Sequence, residues 1–251
     1  MPHFFIKSSD IFDSEITIND ADNYRHIAKS LRARVGENLL LIDEKQIQYE
    51  VIITKIDSSS IFCKIENSYP SKRDLSFDLY LAQSPLRSDA QLTIIEKATE
   101  LGVRAVFPII TDNCVLNKSV LAKKYEKWQK IMFEASKQCE RAKIPTCYSP
   151  TSLSEVLASN SFDKIIVFAE RSTEKSLKTF LQEKPILKGE KVLAIIGPEG
   201  GFSKKEFEFF KTQNLPLISL GDLILKAETA VIVALGDIVY EYQGWFYSFK
   251  D

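Results

Sequence analysis

A glycine-rich segment ends one of the apolar runs of the chain. The segment IIGPEGGFS contains Gly197, Gly200 and Gly201, three of the nine glycines in the sequence, and it continues the run VLAII. At the carboxyl end of a strand in an open α/β sheet, glycines let backbone amides approach a cofactor closely. Gly-Pro and Gly-Gly dipeptides also occur in tight turns that only redirect the chain. Spacing alone therefore leaves both a cofactor loop and a tight turn open.

A second segment, SLGDLILKAETA at residues 219–230, has the same kind of position between a strand and a helix. Gly221 would let the loop pass beneath a ligand, while Lys226, Glu228 and Thr229 would supply polar groups. Taken alone, Glu228 is explained by favourable charge in the first turn of a helix, and Lys226 by an exposed loop position. The two segments together predict one shared pocket, but Glu228 and Lys226 are also explained without a pocket.

The elements that would hold these segments alternate between strand and helix after residue 74. The strand candidates are FDLYLAQ, AVFPIIT, KIIVFAE, VLAIIGP and PLISLG. This alternation is typical of an α/β domain with a largely parallel sheet. The last helix, from Ala227 to Tyr242, is strongly apolar, which predicts burial against the sheet or against another subunit.

Local patterns indicate several helix boundaries in this part of the chain. Ser152 with Glu155, and Ser203 with Glu206, have capping-box spacing and predict two helix starts. An apolar stripe predicts one long helix over residues 120–141. Its buried face comprises Leu121, Tyr125, Trp128, Met132, Ala135 and Cys139.

The first 67 residues have a different rhythm. Short β-type runs, FFIK, EITI, NLLLID, IQYEVIITKI and SIFCKI, predict a small barrel or sandwich. One helix interrupts them from Asp20 to about Arg34, with Asn19 as its cap and Gly36 at its end. Its buried face is predicted to comprise Tyr24, Ile27, Ala28 and Leu31. The polar stretch SYPSKRD, residues 68–74, predicts a linker.

Composition excludes several classes of protein. The chain has 251 residues, 45% hydrophobic and 27% charged, which suits a globular protein with two modest domains or one large one. Its 33 basic and 34 acidic side chains give a net charge of -1, which excludes a uniformly basic surface but allows a local basic face for RNA.

Cysteine and histidine usage argues against disulfide and metal sites. The four cysteines are widely spaced without a CxxC pair, and there are two histidines. We therefore expect free thiols and no metal.

No apolar run reaches the length of a membrane helix, and the start of the chain lacks the layout of a signal peptide. These features predict a cytoplasmic protein that binds no membrane.

Four segments taken together resemble one known family. They are GPEGGFS at 197–203, LGDLILKAETA at 220–230, EKATELGV at 96–103 and EASKQCERAKIP at 134–145. Their joint order is similar to that of the ribosomal RNA small-subunit (uracil-N3)-methyltransferases, the RsmE-type group of the SPOUT superfamily. The segment HIAKSLRARVG, residues 26–36, resembles the PUA-like RNA-binding domain of that family. The resemblance covers nearly the whole chain.

The resemblance implies a fold and a reaction. It implies a PUA-like β-barrel over residues 1–70 and a SPOUT domain with a deep trefoil knot over residues 74–251. A homodimer would transfer a methyl group from S-adenosylmethionine to uracil N3 in 16S ribosomal RNA, with its active site near the subunit interface. The residues implied in cofactor binding are Phe168, Ala169, Glu170, Gly197, Glu199, Gly200, Gly201, Leu220, Gly221, Ile224, Leu225 and Thr229.

The candidate catalytic residues are Glu228, Lys226 and Glu199. Because the methyl donor is already activated, the protein must mainly align it with uracil N3 and help remove the N3 proton, and no metal is needed. Glu228 or Glu199 would act as the base or orient the edge of the uracil, and Lys226 would stabilise the developing anion. Lys226 stands where the family's LRxETA motif usually has arginine, so the charge is kept but the planar fork is lost.

RNA binding is expected from a local basic face. The residues implied are Arg25, Lys29, Arg32, Arg34 and Arg141, with Lys137 and Lys143 beside the last of them. The first four are equally explained as solvated helix charges, and the PUA-like resemblance favours RNA for them. His3 stands where arginine is common in the family, and Ala90, Asn113 and Asn117 replace positions that are often basic.

Two other functions stay open. One is a divergent paralogue that binds RNA, with or without cofactor, and does not carry out this methyl transfer or uses another RNA. The other is a nucleotide-binding enzyme that uses the GPEGG loop as a phosphate cradle. Neither the Walker lysine pattern nor GxGxxG is present, which disfavours the second.

Overall fold

The computed structural model describes residues 3–71, 74–170 and 175–248, and the chain forms two compact units. The amino-terminal unit comprises Met1–Asp74 together with Ser136–Lys143. The larger unit comprises Leu75–Ala135 together with Ile144–Asp251. The predicted domains, 1–70 and 74–251, differ from these units in the segment 136–143, which packs with the amino-terminal residues.

The amino-terminal unit is built on a six-stranded sheet. Its strands are β1 (His3–Phe5), β2 (Ile11–Phe12), β3 (Glu15–Ile18), β4 (Asn38–Ile42), β5 (Ile47–Ile56) and β6 (Ile61–Pro70). They pair in the order β1-β4-β5-β6-β3-β2, and β1 with β4 is the parallel pair. Alternate side chains of β5 and β6 enter one apolar core, as the period of a strand requires.

The predicted linker is wrong at its start. β6 continues through residues 68–70, and Pro70 pairs with Ile47 at the end of the ladder, where a missing N–H is tolerated. Residues 72 and 73 of that linker lie outside the described residues.

The helix of this unit is shorter and differently wound than predicted. It consists of α1 (Ala21–Tyr24) followed by a π-helical turn over Arg25–Ser30. Its cap is Asp20 rather than Asn19, since the Asp20 carboxylate accepts a hydrogen bond from Asn23 N–H at 2.8 Å. The wider turn, in which Leu31 N–H bonds to the His26 carbonyl, rotates the following residues away from the 3.6-residue face. Leu31, predicted to be buried, is consequently 42% exposed.

The larger unit is an α/β layer structure. Its described strands are β7 (Asp78–Gln83), β8 (Val103–Pro108), β9 (Thr146–Cys147), β10 (Lys164–Phe168), β11 (Lys175–Ser176), β12 (Lys191–Ile196) and β13 (Leu217–Ser219). They form a sheet in the order β11-β13-β10-β12-β7-β8-β9. Every pair in it is parallel, which confirms the predicted fold class.

Helices pack on both faces of this sheet. They are α2 (Ser88–Glu100), α3 (Lys118–Ala122), α4 (Tyr125–Gln138), α5 (Leu153–Ser159), α6 (Leu177–Glu183), α7 (Lys204–Thr212) and α8 (Ala227–Ser248). In β12, Val192 and Ala194 enter one core while Leu193 and Ile195 enter the other. Burial on both faces explains why these strands read as continuous apolar runs.

The predicted long helix over residues 120–141 is divided in two. Lys123 and Lys124 N–H bond to carbonyls three residues earlier, which tightens the chain and ends α3 before α4 begins. At the other end, Glu140 has φ +57 and Arg141 N–H bonds to the Ser136 carbonyl at 3.0 Å, the pattern of a Schellman end.

Both predicted capping boxes are confirmed, at Ser152 with Glu155 and at Ser203 with Glu206. In the described parts of the chain, no helix is both long enough and apolar enough to cross a bilayer. The trefoil knot stays a prediction, because strand pairing alone does not define how the chain is threaded.

Strand order determines where a ligand site forms. β13, β10 and β12 are neighbours and parallel, so their carboxyl ends lie at the same edge of the sheet. β7, β8 and β9 extend from β12 in the other direction. Open α/β sheets bind ligands at such a reversal of strand order, outside the carboxyl ends.

Candidate cofactor site

Two adjoining cavities lie at this edge of the larger unit. The main cleft has a volume of about 910 Å³. It is lined by Ala90, Phe168, Ala169, Glu170, Ile196, Gly197, Pro198, Glu199, Gly200, Gly201, Phe202, Phe207, Leu217, Ile224, Leu225, Lys226, Ala227, Glu228 and Ala230. The side cavity, of about 510 Å³, adds Lys175, Ser176, Ile218, Ser219, Leu220, Gly221, Asp222 and Leu223 to residues that it shares with the cleft.

The glycine loop, residues 197–201, combines a tight turn with close packing. Gly201 has φ +65, and its N–H donates to the Pro198 carbonyl at 2.9 Å. A Cβ on Gly197 would lie 3.3 Å from the Phe202 ring, so a larger residue there would displace the aromatic wall of the cleft. The tight turn and the pocket, which were alternatives in the sequence, are present in the same loop.

The second loop, between β13 and α8, is held by a local side-chain contact. The Ser219 hydroxyl accepts a hydrogen bond from Gly221 N–H at 3.1 Å and lies 3.0 Å from the Gly221 carbonyl, to which it donates. Gly221 itself has φ +122, a conformation that favours glycine. Leu223 and Ile224 follow, and they are 81% and 61% exposed despite being apolar.

A third segment, the β8 loop over residues 109–117, braces the glycine loop. The Glu206 carboxylate accepts hydrogen bonds from Ser203 N–H at 2.7 Å and from Asp112 N–H at 3.1 Å. The Ser203 hydroxyl donates to the Asp112 carboxylate at 2.5 Å. The start of α7 is therefore fixed by its own capping box and by the β8 loop together. The sequence indicates the capping box, but it has no signal for the contribution of Asp112, which is 91 residues away.

The polar lining of the main cleft is mainly acidic. Glu170, Glu199 and Glu228 line it together with Lys226, while the walls carry aromatic and aliphatic side chains. Carboxylates attract a cationic ligand and repel phosphate. This lining argues against the phosphate-cradle alternative.

Most of the predicted site residues come together in these cavities. Glu228, Lys226 and Glu199 all line the main cleft, and every predicted cofactor residue except Thr229 lines one or both cavities. Thr229 is exposed on α8 and lines neither. Sequence reasoning missed Lys175 and Ser176 because they lie in a two-residue strand without detectable periodicity.

Comparison with known proteins identifies the fold and the family. A model of the RNA methyltransferase domain matches residues 73–239, and a model of the RNA methyltransferase PUA domain matches residues 18–66. The chain belongs to the RNA methyltransferase family. This confirms the enzyme class and the amino-terminal PUA domain that the sequence motifs predicted.

The relatives of this methyltransferase agree over most of their length. The ribosomal RNA small subunit methyltransferase E of Bacillus subtilis is 28% identical, with 88% of each chain covered. The protein of the same name from Aquifex aeolicus is 30% identical, with 80% of this chain and 84% of that one covered. A crystal structure of the Neisseria gonorrhoeae protein of that name, bound to S-adenosyl methionine, matches with a TM-score of 0.79 at 25% identity over 95% and 96% of the two chains.

The predicted RNA-binding residues differ in their accessibility. Arg25, Lys29, Arg32 and Arg34 are exposed around the π-helical turn of the amino-terminal unit. Arg141 is only 5% exposed, and its guanidinium lies 3.0 Å from the Asp74 carboxylate. Burial and ion pairing argue against a direct contact of Arg141 with RNA.

The four cysteines of the methyltransferase are free thiols and differ in burial. Burial raises the pKa of both the Cys63 and the Cys147 thiol to about 12. Because a raised pKa disfavours the thiolate, both thiols are almost entirely protonated near pH 8. Cys114 and Cys139 are half-buried.

We expect a thiol reagent at about pH 8 to label Cys114 and Cys139 in the native protein, and Cys63 and Cys147 only after unfolding. Mass spectrometry of native and denatured labelled samples measures this. Rapid native labelling of Cys63 or Cys147 would contradict the burial described.

Among the described residues, no group of three or more His, Cys, Asp or Glu is arranged to hold a metal.

Proposed function

We propose that this chain uses S-adenosylmethionine to methylate uracil N3 in 16S ribosomal RNA of the small subunit. The observation that carries the proposal is the convergence of the loops after β10, β12 and β13 on one cleft lined by Glu199, Lys226 and Glu228. The related proteins named above are ribosomal RNA small subunit methyltransferases, and one of them binds this cofactor.

The residues of the cleft fit the cofactor chemically. Apolar walls from Phe202, Leu225 and Ala169 suit a flat adenine ring, and backbone exposed by the glycine loop suits its polar edge. Glu170, Glu199 or both would attract the cationic amino and sulfonium groups. S-adenosylmethionine, when bound, supplies a methyl group that is already activated for transfer.

The remaining chemistry falls to side chains at the start of α8 and in the glycine loop. The uracil must be aligned and must lose its N3 proton. Glu228 or Glu199 would accept that proton, and Lys226 would stabilise the negative charge that develops on the ring. All three line the same cleft, which supports this division of roles.

The partners of the enzyme are proposed from its surfaces. The exposed basic group Arg25, Lys29, Arg32 and Arg34 would bind phosphates of the ribosomal RNA, so affinity should fall with salt. A target base would have to leave its stack to reach the methyl group. We propose a cytoplasmic location, where ribosomal RNA is available.

A homodimer is supported by apolar side chains that a monomer leaves exposed. Leu223 and Ile224 at the cleft are 81% and 61% exposed, and Tyr240 on α8 is 73% exposed. Covering such side chains is favourable in proportion to the apolar area removed from water. A second subunit would cover them and would complete the site near its interface.

The experiment that tests this function is transfer of labelled methyl from S-adenosylmethionine to small ribosomal subunits purified from cells lacking the gene. Nucleoside analysis should then reveal N3-methyluridine. Subunits from wild-type cells should accept no label, because their target uridine is already methylated. Absence of transfer, with cofactor binding measured separately, would favour a paralogue that binds RNA without this reaction. Label in another nucleoside would keep the enzyme class and overturn the uracil-N3 assignment.

A further inference from the structure

We infer that Asn113 is a positioning residue, which holds the glycine loop in the shape that the cofactor requires. Its carboxamide Nδ2 donates to the Gly200 carbonyl and to the Gly201 carbonyl, both at 3.1 Å. One side chain of the β8 loop thus binds two successive peptide groups of a loop 87 residues later in the chain. This inference rests on the proposed function, because it concerns the same cleft.

Asn113 holds the glycine loop by close packing as well as by these two hydrogen bonds. A Cβ on Gly200 would lie 3.2 Å from the Cβ of Asn113, so the absence of a side chain at Gly200 is what allows this approach. On the other side, a Cβ on Gly201 would lie 3.4 Å from a carboxylate oxygen of Glu170. The glycine loop is therefore held between the β8 loop and the loop after β10, and it lines the main cleft between them.

Adjacent contacts make the β8 loop a firm support. Asp112 binds Ser203 and Glu206 at the start of α7, as described above. At the other end of the β8 loop, the Asn117 side chain acts on α3 instead, which it caps by accepting a hydrogen bond from Val120 N–H at 3.0 Å. Asn113 is thus the side chain through which an anchored loop acts directly on the glycine loop.

The donor character of the amide gives the inference a specific chemical signature. Aspartate has almost the same shape as asparagine, but an ionised carboxylate has no hydrogen to donate and would face two carbonyl oxygens. Alanine removes the contact without adding repulsion. If Asn113 acts as a donor, the cofactor affinity falls in the order Asn, Ala, Asp; if it only fills space, Asp resembles Asn and Ala is worst.

The test compares Asn113→Ala and Asn113→Asp with the matched control Asn117→Ala, which removes an asparagine from the same loop without touching the glycine loop. Calorimetric titration with S-adenosylmethionine in the absence of RNA gives the affinity, and thermal unfolding gives the stability. We expect about tenfold weaker binding for Asn113→Ala, a larger loss for Asn113→Asp, and an affinity within about twofold of wild type for Asn117→Ala.

The pH dependence of Asn113→Asp separates the donor role from a general disturbance of the fold. Protonation of the new carboxyl, whose ordinary pKa is about 3.9, restores one O–H donor and removes its charge, so the affinity deficit should shrink from about pH 6 to about pH 4. Asn113→Ala should keep a constant deficit relative to wild type over that range. The unfolding midpoints of Asn113→Ala and Asn117→Ala should both fall by only about 2–4 °C.

Equal cofactor affinity for wild type, Asn113→Ala and Asn113→Asp would overturn the positioning role, as would an Asn113→Asp deficit that does not change with pH. Cofactor binding by wild type without methylation of RNA would overturn the proposed function and leave the Asn113 test valid. Failure of the wild-type protein to bind S-adenosylmethionine would overturn both.

Discussion

Glutamine in place of Glu228 is expected to lower the rate constant of methyl transfer by about 10²-fold or more, with cofactor affinity within about threefold of wild type. Glu228 lies in the first turn of α8 and lines the main cleft beside Lys226. The amide keeps the shape of the side chain but neither accepts the N3 proton nor carries charge. Single-turnover transfer of labelled methyl to small subunits measures the rate constant, and calorimetry measures the affinity.

The companion substitutions separate the roles of the charged groups. Lys226→Ala should also lower the rate constant, because it removes the cation beside the developing uracil anion, whereas Lys226→Arg should retain most of the activity. Glu199→Gln shows which of the two carboxylates is the base, because only loss of the base should lower the rate constant by the full factor of about 10².

Glu208→Gln is the matched control for these variants. Glu208 lies on α7 outside the cleft and forms an exposed ion pair with Lys211, so its loss should change neither the rate nor the affinity appreciably. Full activity in both Glu228→Gln and Lys226→Ala would refute the assigned roles. If Glu228→Gln lowers only the free energy of unfolding, by about 0.3–1 kcal/mol, and leaves the rate unchanged, Glu228 acts only through its charge near the helix terminus.

Methionine in place of Arg141 is expected to lower the free energy of unfolding of the amino-terminal unit by about 3 kcal/mol. The Arg141 side chain is 6% exposed and lies 3.0 Å from the carboxylate of Asp74, whose side chain is 21% exposed. Removing the guanidinium leaves the partly exposed carboxylate of Asp74 without this cation. Denaturant unfolding measures the loss, and the double variant Arg141→Met with Asp74→Asn should recover part of it.

The same variant decides between the structural role and the RNA contact predicted for Arg141. The slope of the logarithm of RNA affinity against the logarithm of salt concentration should be the same for Arg141→Met as for wild type. A buried, paired guanidinium does not contact RNA phosphates and so releases none of their counterions. Lys29→Ala is the comparison, since Lys29 is exposed and its loss should reduce the slope by about 1. Wild-type stability together with a reduced slope in Arg141→Met would restore the RNA contact and contradict the structural role.

Patterns that depend on near neighbours in sequence predicted much of this fold. The five apolar runs of the larger unit became parallel strands, because strands buried on both faces need continuous apolar sequence. Ser152 and Ser203 were recognisable as caps, because their partners lie three residues away. The glycine loop and residues 220–230 could be predicted to converge, because both follow parallel strands and the carboxyl ends of parallel strands lie at one edge of the sheet, where ligands bind.

Features that depend on distant residues were missed or misassigned. Arg141 is predicted to bind RNA because its partner, Asp74, lies 67 residues earlier in the chain and leaves no local pattern. Asn113 was noted only as a departure from the family, and its contacts with Gly200 and Gly201 leave no local pattern. The break at Lys123 occurs within an uninterrupted apolar stripe, so periodicity could not place it.

The assignment of residues 136–143 to the amino-terminal unit bears on when that unit can form during synthesis. A domain composed only of the first 74 residues could fold while the rest of the chain is still being made, as amino-terminal domains commonly do. Here the unit also includes Ser136–Lys143. Its completion must therefore wait until more than half of the 251-residue chain has been translated. Until then, the ion pair between Asp74 and Arg141 cannot form, and a gene fragment that ends at Asp74 would encode an incomplete unit.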